Sequence, residues 1–371
     1  MTETHQKSPS DPPERPERHE GDDSTDLEHD TIALPSDVAG SGTLDRLVET
    51  ARDYARQAAS QNTLKAYAKD WAHFARWCRM RGADPLPSSS QLIGLYIADL
   101  AAQGGKAPSQ SASRPLSVSS IERRLSGLAW GYAQRGERLD RKDRHIATVL
   151  AGIRRKHARP PAQKEAILPE DLRDMLATLP HDLRGLRDRA ILLIGFAGGL
   201  RRSEIVSLDH GKDDTPDSGG WVEILEDGVL LTLRGKTGWR EVEIARGSSD
   251  QTCPVHALTQ WLHYARIDFG PIFVATSRNG LKATSERLSD KHVARLIKSC
   301  AREAGLRPDL PEAERVRLFS GHSLRAGLAS SAEVDERYVQ KQLGHASAEM
   351  TRRYQRRRDR FRVNLTKAAG L

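Results

Sequence analysis

The sequence predicts a mainly α protein with a smaller β component, an α+β fold of two domains behind a polar tail. Three observations carry this. The chain has 371 residues, too many for one small module. Apolar residues recur at helical spacing over most of it once the first forty or so residues are passed. One stretch, 221–244, instead shows short runs enriched in β-branched residues and broken by turn residues. Apolar residues make up 37%, and with 29 glycines the total reaches the usual globular share, so a sizeable core can be buried.

Residues 1–43 are rich in Pro, Ser, Asp and Glu and poor in large apolar side chains, so they are expected to be disordered. Residues 44–159 read as a compact helical domain. Thr63 is placed to cap a helix whose Leu64, Tyr67, Trp71, Phe74 and Cys78 form one apolar stripe. Lys65, Lys69 and Arg76 lie off that stripe. Further helices are expected over Gln91–Gln103, ended by Gly104-Gly105, over Ser117–Arg135, and from about Arg144. The segment Arg154-Arg155-Lys156-His157-Ala158-Arg159-Pro160-Pro161 reads as a hinge, a solvated linker or a phosphate contact. Residues 160–371 form the second domain. Pro169 opens a helix to Leu179, and Gly185–Gly198 is a mostly buried one. Trp221–Leu225, Gly228–Arg234 and Arg240–Ile244 are expected strands of a small antiparallel sheet. Helices then begin at Cys253-Pro254, fill most of Ser289–Ala304, and run from His322 to the end.

Charge narrows the function. Formal net charge is +8, but residues 1–30 carry ten acids against three bases, which leaves +15 on the other 341 residues. So basic a body suits a polyanion better than a neutral metabolite. Three scattered cysteines argue against a disulfide framework and for a reducing compartment. No apolar run reaches membrane-spanning length and no signal-type segment opens the chain, so a cytoplasmic protein with no membrane partner is expected.

The sequence contains no phosphate-cradling Gly-rich loop, dinucleotide fingerprint or recognisable pair of catalytic carboxylates. Cys253-x-x-His256 lacks a second ligand pair and reads as a buried helix start, not a metal site. An ordered set of cations and one tyrosine remains. Arg201 follows Gly198-Gly199-Leu200, with Glu204 three residues on as an orienting partner; alone, such a pair is a common surface ion pair. Lys236 lies between two expected strands. His322 and Arg325 share one helix face behind Ser320-Gly321. His345 follows Gly344, which ends a helix, and Tyr354 sits among Arg352, Arg353, Arg356, Arg357 and Arg358. Tyr338 is a rival nucleophile, but it precedes His345 within the previous helix and is read as packing.

Gly199-Leu200-Arg201-Arg202-Ser203-Glu204-Ile205, Lys236, Gly321-His322-Ser323-Leu324-Arg325, Leu343-Gly344-His345, and Tyr354 nine residues later together resemble the tyrosine recombinase (phage integrase) family. The resemblance runs from about residue 44 to the end. It implies a SAM-like core-binding domain ahead of a mixed, mostly helical catalytic domain, the pair closing as a C-shaped clamp on duplex DNA. It implies Tyr354 as nucleophile, His322 as proton acceptor, Arg201 and Arg325 as clamps on the nonbridging phosphate oxygens, and Lys236 as acid for the leaving oxygen. His345 would hydrogen-bond the phosphate and Glu204 would orient the site. Guanidinium forks suit phosphate, and a phenol of pKa near 10 gains from a neighbouring base. No cofactor and no metal are implied. The implied partners are double-stranded recombination sites, other copies of the chain in a tetramer on DNA, and an accessory directionality factor. Lys65, Lys69, Arg76, Arg154, Arg155 and Lys156 are the expected DNA contacts of the first domain.

Three other activities share part of this pattern. A type IB topoisomerase would use similar chemistry as a monomer, a DNA-binding regulator would not need Tyr354, and a replication relaxase would need a histidine metal cluster that the sequence lacks. The acidic tail is expected to compete weakly with DNA for the basic surface. Deleting residues 1–40 should then tighten nonspecific DNA binding at low salt in a gel-shift titration; unchanged affinity would refute the competition.

Overall fold

The computed structural model describes residues 60–102, 115–160 and 163–352, apart from 213, 214, 216, 236, 237, 333 and 346, together with positions 47, 50, 51 and 54. The acidic tail, Gly104-Gly105, Asp213-Asp214, Lys236, Tyr354 and the C-terminal residues therefore lie outside the described residues. The chain divides into two compact units, one up to Pro160 and one from Pro161.

Among the described residues the first unit has the helices α1 (Gln61–Arg79), α2 (Ser90–Ala102), α3 (Val118–Ala133) and α4 (Arg144–His157), with helical positions also at 47, 50, 51 and 54. Helix α1 packs on α3, and α2 on α4. The predicted stripe of α1 supplies Trp71, Phe74 and Cys78 to the core, where they meet Tyr96, Leu128 and Tyr132. Trp71 meets Tyr132 edge-on with ring centroids 5.0 Å apart, and Phe74 meets Tyr96 in the same way. The cap of α1 differs from expectation: Ser60, not Thr63, is the N-cap, and its hydroxyl accepts the Thr63 N–H at 3.3 Å. Helix α4 also runs further than expected. Arg154, Arg155, Lys156 and His157 form its last turn rather than a hinge, a position where cations meet the negative end of the helix.

In the second unit the helices are α5 (Pro169–Ala177), α6 (Leu183–Ala197), α7 (Arg202–Val206), α8 (Pro254–Ala265), α9 (Asp290–Glu303), α10 (Glu312–Leu318), α11 (His322–Ser331) and α12 (Glu336–Leu343). The strands are β1 (Leu208–His210), β2 (Gly220–Ile224), β3 (Gly228–Gly235), β4 (Gly238–Ala245), β5 (Gly270–Pro271), β6 (Val274–Thr276) and β7 (Ala283–Arg287). Five strands form one sheet in the order β4-β3-β2-β1-β5, and β6 pairs with β7. The expected antiparallel meander is β2-β3-β4, with Leu231 opposite Val222 and Val242. Strand β1 joins it in parallel, Leu208 opposite Gly220. The additional strands and α10 were too short to show a period in the sequence. One core joins the helices to the sheet through Ile194, Leu231, Trp261, Phe273 and Ile297. Gly344 ends a helix as expected, and the segment from His322 onward is also broken at Ala332, giving α11, α12 and a helical turn at 348–352.

Candidate active site

The site is assembled from chain segments that end or begin helices. Buried α6 stops at Gly198, and Gly199 turns the chain at φ +57°. A Cβ at Gly199 would stand 2.4 Å from the Leu343 side chain, so glycine is required for both the turn and the close approach of α12. Arg201 then becomes the N-cap of the short helix α7. Its backbone N–H donates to Glu204 Oε2 at 2.8 Å, and its Nη1 donates to Glu204 Oε1 at 2.6 Å. The Arg201 side chain remains 38% exposed while Glu204 is buried beneath it.

Glu204 serves a second arginine. Arg240 Nη2, from β4, donates to Glu204 Oε2 at 3.0 Å. Burial is the strongest single influence on Glu204 and raises its pKa. The Arg201 N–H and the charges of Arg240 and Arg201 outweigh it, so the carboxyl lies below its ordinary range and is ionised at neutral pH. Arg240 was not singled out in the sequence, although a signal existed. It lies in phase with Val242 and Ile244, the inward positions of β4, so it is a charge written into an apolar register.

Arg325 is held differently. On α11 it is 1% exposed, and its Nη1 donates to Gly199 O at 2.6 Å and its Nη2 to Leu343 O at 2.5 Å. Leu343 ends α12 and Gly199 directly follows α6. Their carbonyls carry the partial negative charge of helix C-termini, which compensates a buried cation. His322 lies one turn before Arg325 on the same helix. Its pKa is lowered by burial first and then by Arg325 and Arg201, so it is neutral and able to accept a proton at neutral pH.

Gly344 closes α12 in the left-handed conformation at φ +58°. A Cβ there would come within 2.8 Å of Arg240 Cδ and Nε. His345 follows, 7% exposed, with Nδ1 2.9 Å from the Thr351 hydroxyl oxygen. Burial, then Arg325, Arg201, His322 and Arg240 lower its pKa to about 4. The structure thus brings Arg201, Glu204, His322, Arg325 and His345 into one cluster and adds Arg240. Lys236 falls between Gly235 and Gly238, which pair across the β3–β4 hairpin, and Tyr354 follows Thr351 by three residues; neither is among the described residues.

The predicted DNA contacts belong to the first unit. Lys65, Lys69 and Arg76 are exposed on α1, and their spacing puts them on one stripe. Arg155 and Lys156 are exposed at the end of α4, whereas Arg154 Nε donates to Glu122 Oε1 at 2.8 Å. Tyr338 was expected to pack, but it is 71% exposed. The inward positions of α12 fall to Val339 and Leu343 instead. Cys253 Sγ accepts the N–H of His256 and of Gly247, a helix cap. No group of three or more potential metal ligands is gathered among the described residues, and no described helix is long and apolar enough to cross a membrane.

With this geometry in hand, similarity to known proteins is informative. The sequence profile of the phage integrase family matches residues 165–360, just over half of the chain. An integrase/recombinase xerD homolog of Selenomonas ruminantium is 33% identical over 331 residues, covering 86% of this chain and 89% of that protein. The tyrosine recombinase XerD of Bradyrhizobium diazoefficiens is 26% identical over 343 residues, covering 87% and 93%. Among solved structures, a XerH site-specific recombinase bound to a palindromic difH substrate aligns with a TM-score of 0.55 at 17% identity, covering 90% of this chain and 85% of that one. A lambda integrase dimer on a core site aligns with a TM-score of 0.50 at 18% identity, covering 87% and 78%. Both likenesses establish a shared fold.

Proposed function

The chain belongs to the phage integrase family, and we propose that it is a site-specific recombinase that breaks and rejoins DNA through a 3′-phosphotyrosyl intermediate. The observation that supports this best is the convergence of Arg201, His322, Arg325 and His345. Arg201, His345 and the His322–Arg325 pair come from three separate helix ends, and after burial the other three each depress the proton affinity of His345. Such a gathering of like charges around two neutral imidazoles is costly for an isolated protein and favourable once a phosphodiester sits among them.

In the proposed reaction the phenolic oxygen of Tyr354 attacks the scissile phosphorus and the bond to the 5′ oxygen breaks. The phenolic proton passes to His322, whose lowered pKa keeps it available as a base. The departing 5′ oxygen takes a proton from Lys236. Arg201 and Arg325 bind the nonbridging oxygens as charge builds on them, and His345 donates a further hydrogen bond. Glu204 holds Arg201 through two bonds at one end of the site. The phosphotyrosine keeps the energy of the broken bond, so a 5′ hydroxyl from a partner strand can reverse the step without ATP. Four copies on two sites, passing through a Holliday junction, complete the exchange, with an accessory factor setting direction. The exposed stripe Lys65, Lys69 and Arg76, with Arg155 and Lys156, suits the first unit to the DNA backbone.

The test is capture of a covalent adduct on nicked suicide duplexes drawn from DNA beside the gene. The wild-type chain is expected to leave a denaturant-stable adduct whose mass is that of protein plus oligonucleotide, and Tyr354→Phe to leave none. Absence of any adduct, or its persistence in Tyr354→Phe, overturns the reading. Plasmids with and without the captured site then separate recombination from site-independent relaxation.

A further inference from the structure

The ring of His345 is held by a residue of the segment that leads to Tyr354. Its backbone is fastened to α12, where the His345 N–H donates to Gln340 O at 3.2 Å and the Gln340 side-chain amide donates to His345 O at 3.3 Å. Its ring is fastened elsewhere: Nδ1 lies 2.9 Å from Oγ1 of Thr351, a side chain with no exposed surface. Thr351 belongs to the helical turn 348–352 and precedes Tyr354 by three residues. One ring nitrogen is thereby assigned to Thr351, and the other, Nε2, lies on the opposite edge of the ring.

The surroundings make that assignment matter. Burial first, and then Arg325, Arg201, His322 and Arg240 around it, keep the ring neutral at physiological pH. A neutral imidazole has one N–H and one lone pair, and the partner of one nitrogen decides what the other presents. A threonine hydroxyl that donates into Nδ1 leaves the hydrogen on Nε2, which gives an anionic phosphate oxygen a donor and spares it a facing lone pair.

We propose that Thr351 is a positioning residue: its hydroxyl, donating into Nδ1, fixes the tautomer and aim of His345, the phosphate-binding imidazole. This rests on the reading of His345 as a phosphate donor.

Thr351→Val keeps the shape and removes the hydroxyl, and Thr351→Ser keeps the hydroxyl. In the DNA-free protein, ring ¹⁵N shifts of His345 should show one tautomer in the wild type and in Thr351→Ser, and a mixture in Thr351→Val. On suicide duplexes, Thr351→Val should slow adduct formation about tenfold, the worth of one hydrogen bond, with DNA affinity unchanged. Thr351→Ser should remain within about twofold of wild type. In a His345→Asn background, Thr351→Val should add nothing, because its effect passes through the imidazole. An unchanged tautomer ratio in Thr351→Val, or the same tenfold slowing on top of His345→Asn, overturns the proposal. If the wild-type chain forms no adduct, the recombinase reading fails, and the ring shifts still decide whether Thr351 governs His345.

Discussion

The two arginines of the site sit in contrasting frames. Arg201 is held by a carboxylate three residues along its own helix start and keeps more than a third of its side chain in solvent. Arg325 is fully buried and held by two backbone carbonyls, one 126 and one 18 residues away in sequence. The first frame is a local ion pair reinforced from β4; the second is a junction of the ends of α6, α11 and α12. Arg201 can therefore be removed with its surroundings largely intact, because Glu204 keeps Arg240. Arg325 cannot, because it is the partner of buried helix-end oxygens. Both guanidiniums are proposed to meet the same phosphate, yet only one of them also holds the fold together.

The largest expected effect comes from breaking the buried frame. Arg325→Ala leaves the Gly199 and Leu343 carbonyls without this donor and should cost about 3 kcal/mol of stability in urea unfolding. Adduct formation on suicide duplexes should fall by about a thousandfold or more. Arg201→Ala should slow the same reaction about a hundredfold to a thousandfold while costing less stability, about 1–2 kcal/mol, because the buried Glu204 keeps Arg240 and the backbone N–H of residue 201. Equal stability losses in the two variants would erase the distinction between the frames.

A smaller effect sharpens it through pH. Folding lowers the pKa of His345 from 6.5 to about 4, so between those values the unfolded chain binds a proton that the folded protein refuses. Stability should hold above pH 6.5 and decline as the pH falls toward 4, by up to about 3 kcal/mol from this group. His322 acts in the same direction. Tryptophan-fluorescence unfolding between pH 7 and 5 measures the slope, and His345→Asn should flatten it. A slope unchanged by that substitution would mean that the imidazole is not held in the cationic cluster.

Much of the fold was legible because helices announce themselves by period. From the predicted stripe of α1, Trp71, Phe74 and Cys78 point to the core as expected. The strands of two or three residues, β1, β5 and β6, were not legible, since a period needs more alternations than they contain. At the site, Arg201–Glu204 and His322–Arg325 could be paired from a spacing of three. Arg240 carried a fainter sign in its strand phase, and Thr351 carried none. The exposed Tyr338 was misjudged because a tyrosine within a helix does not declare its face without the whole helix around it.

By itself, then, the sequence determined which residues share a helix face and the order in which the candidate motifs arrive. Those properties depend on neighbours three and four residues apart. Only the tertiary structure decided that Arg325 would serve the ends of α6 and α12, that Arg240 would reach Glu204 across 36 residues, and that Thr351 would meet His345. Spacing fixes direction within an element, but which surfaces meet is settled by the packing of whole elements, and a cluster made from helix ends exists only after they meet.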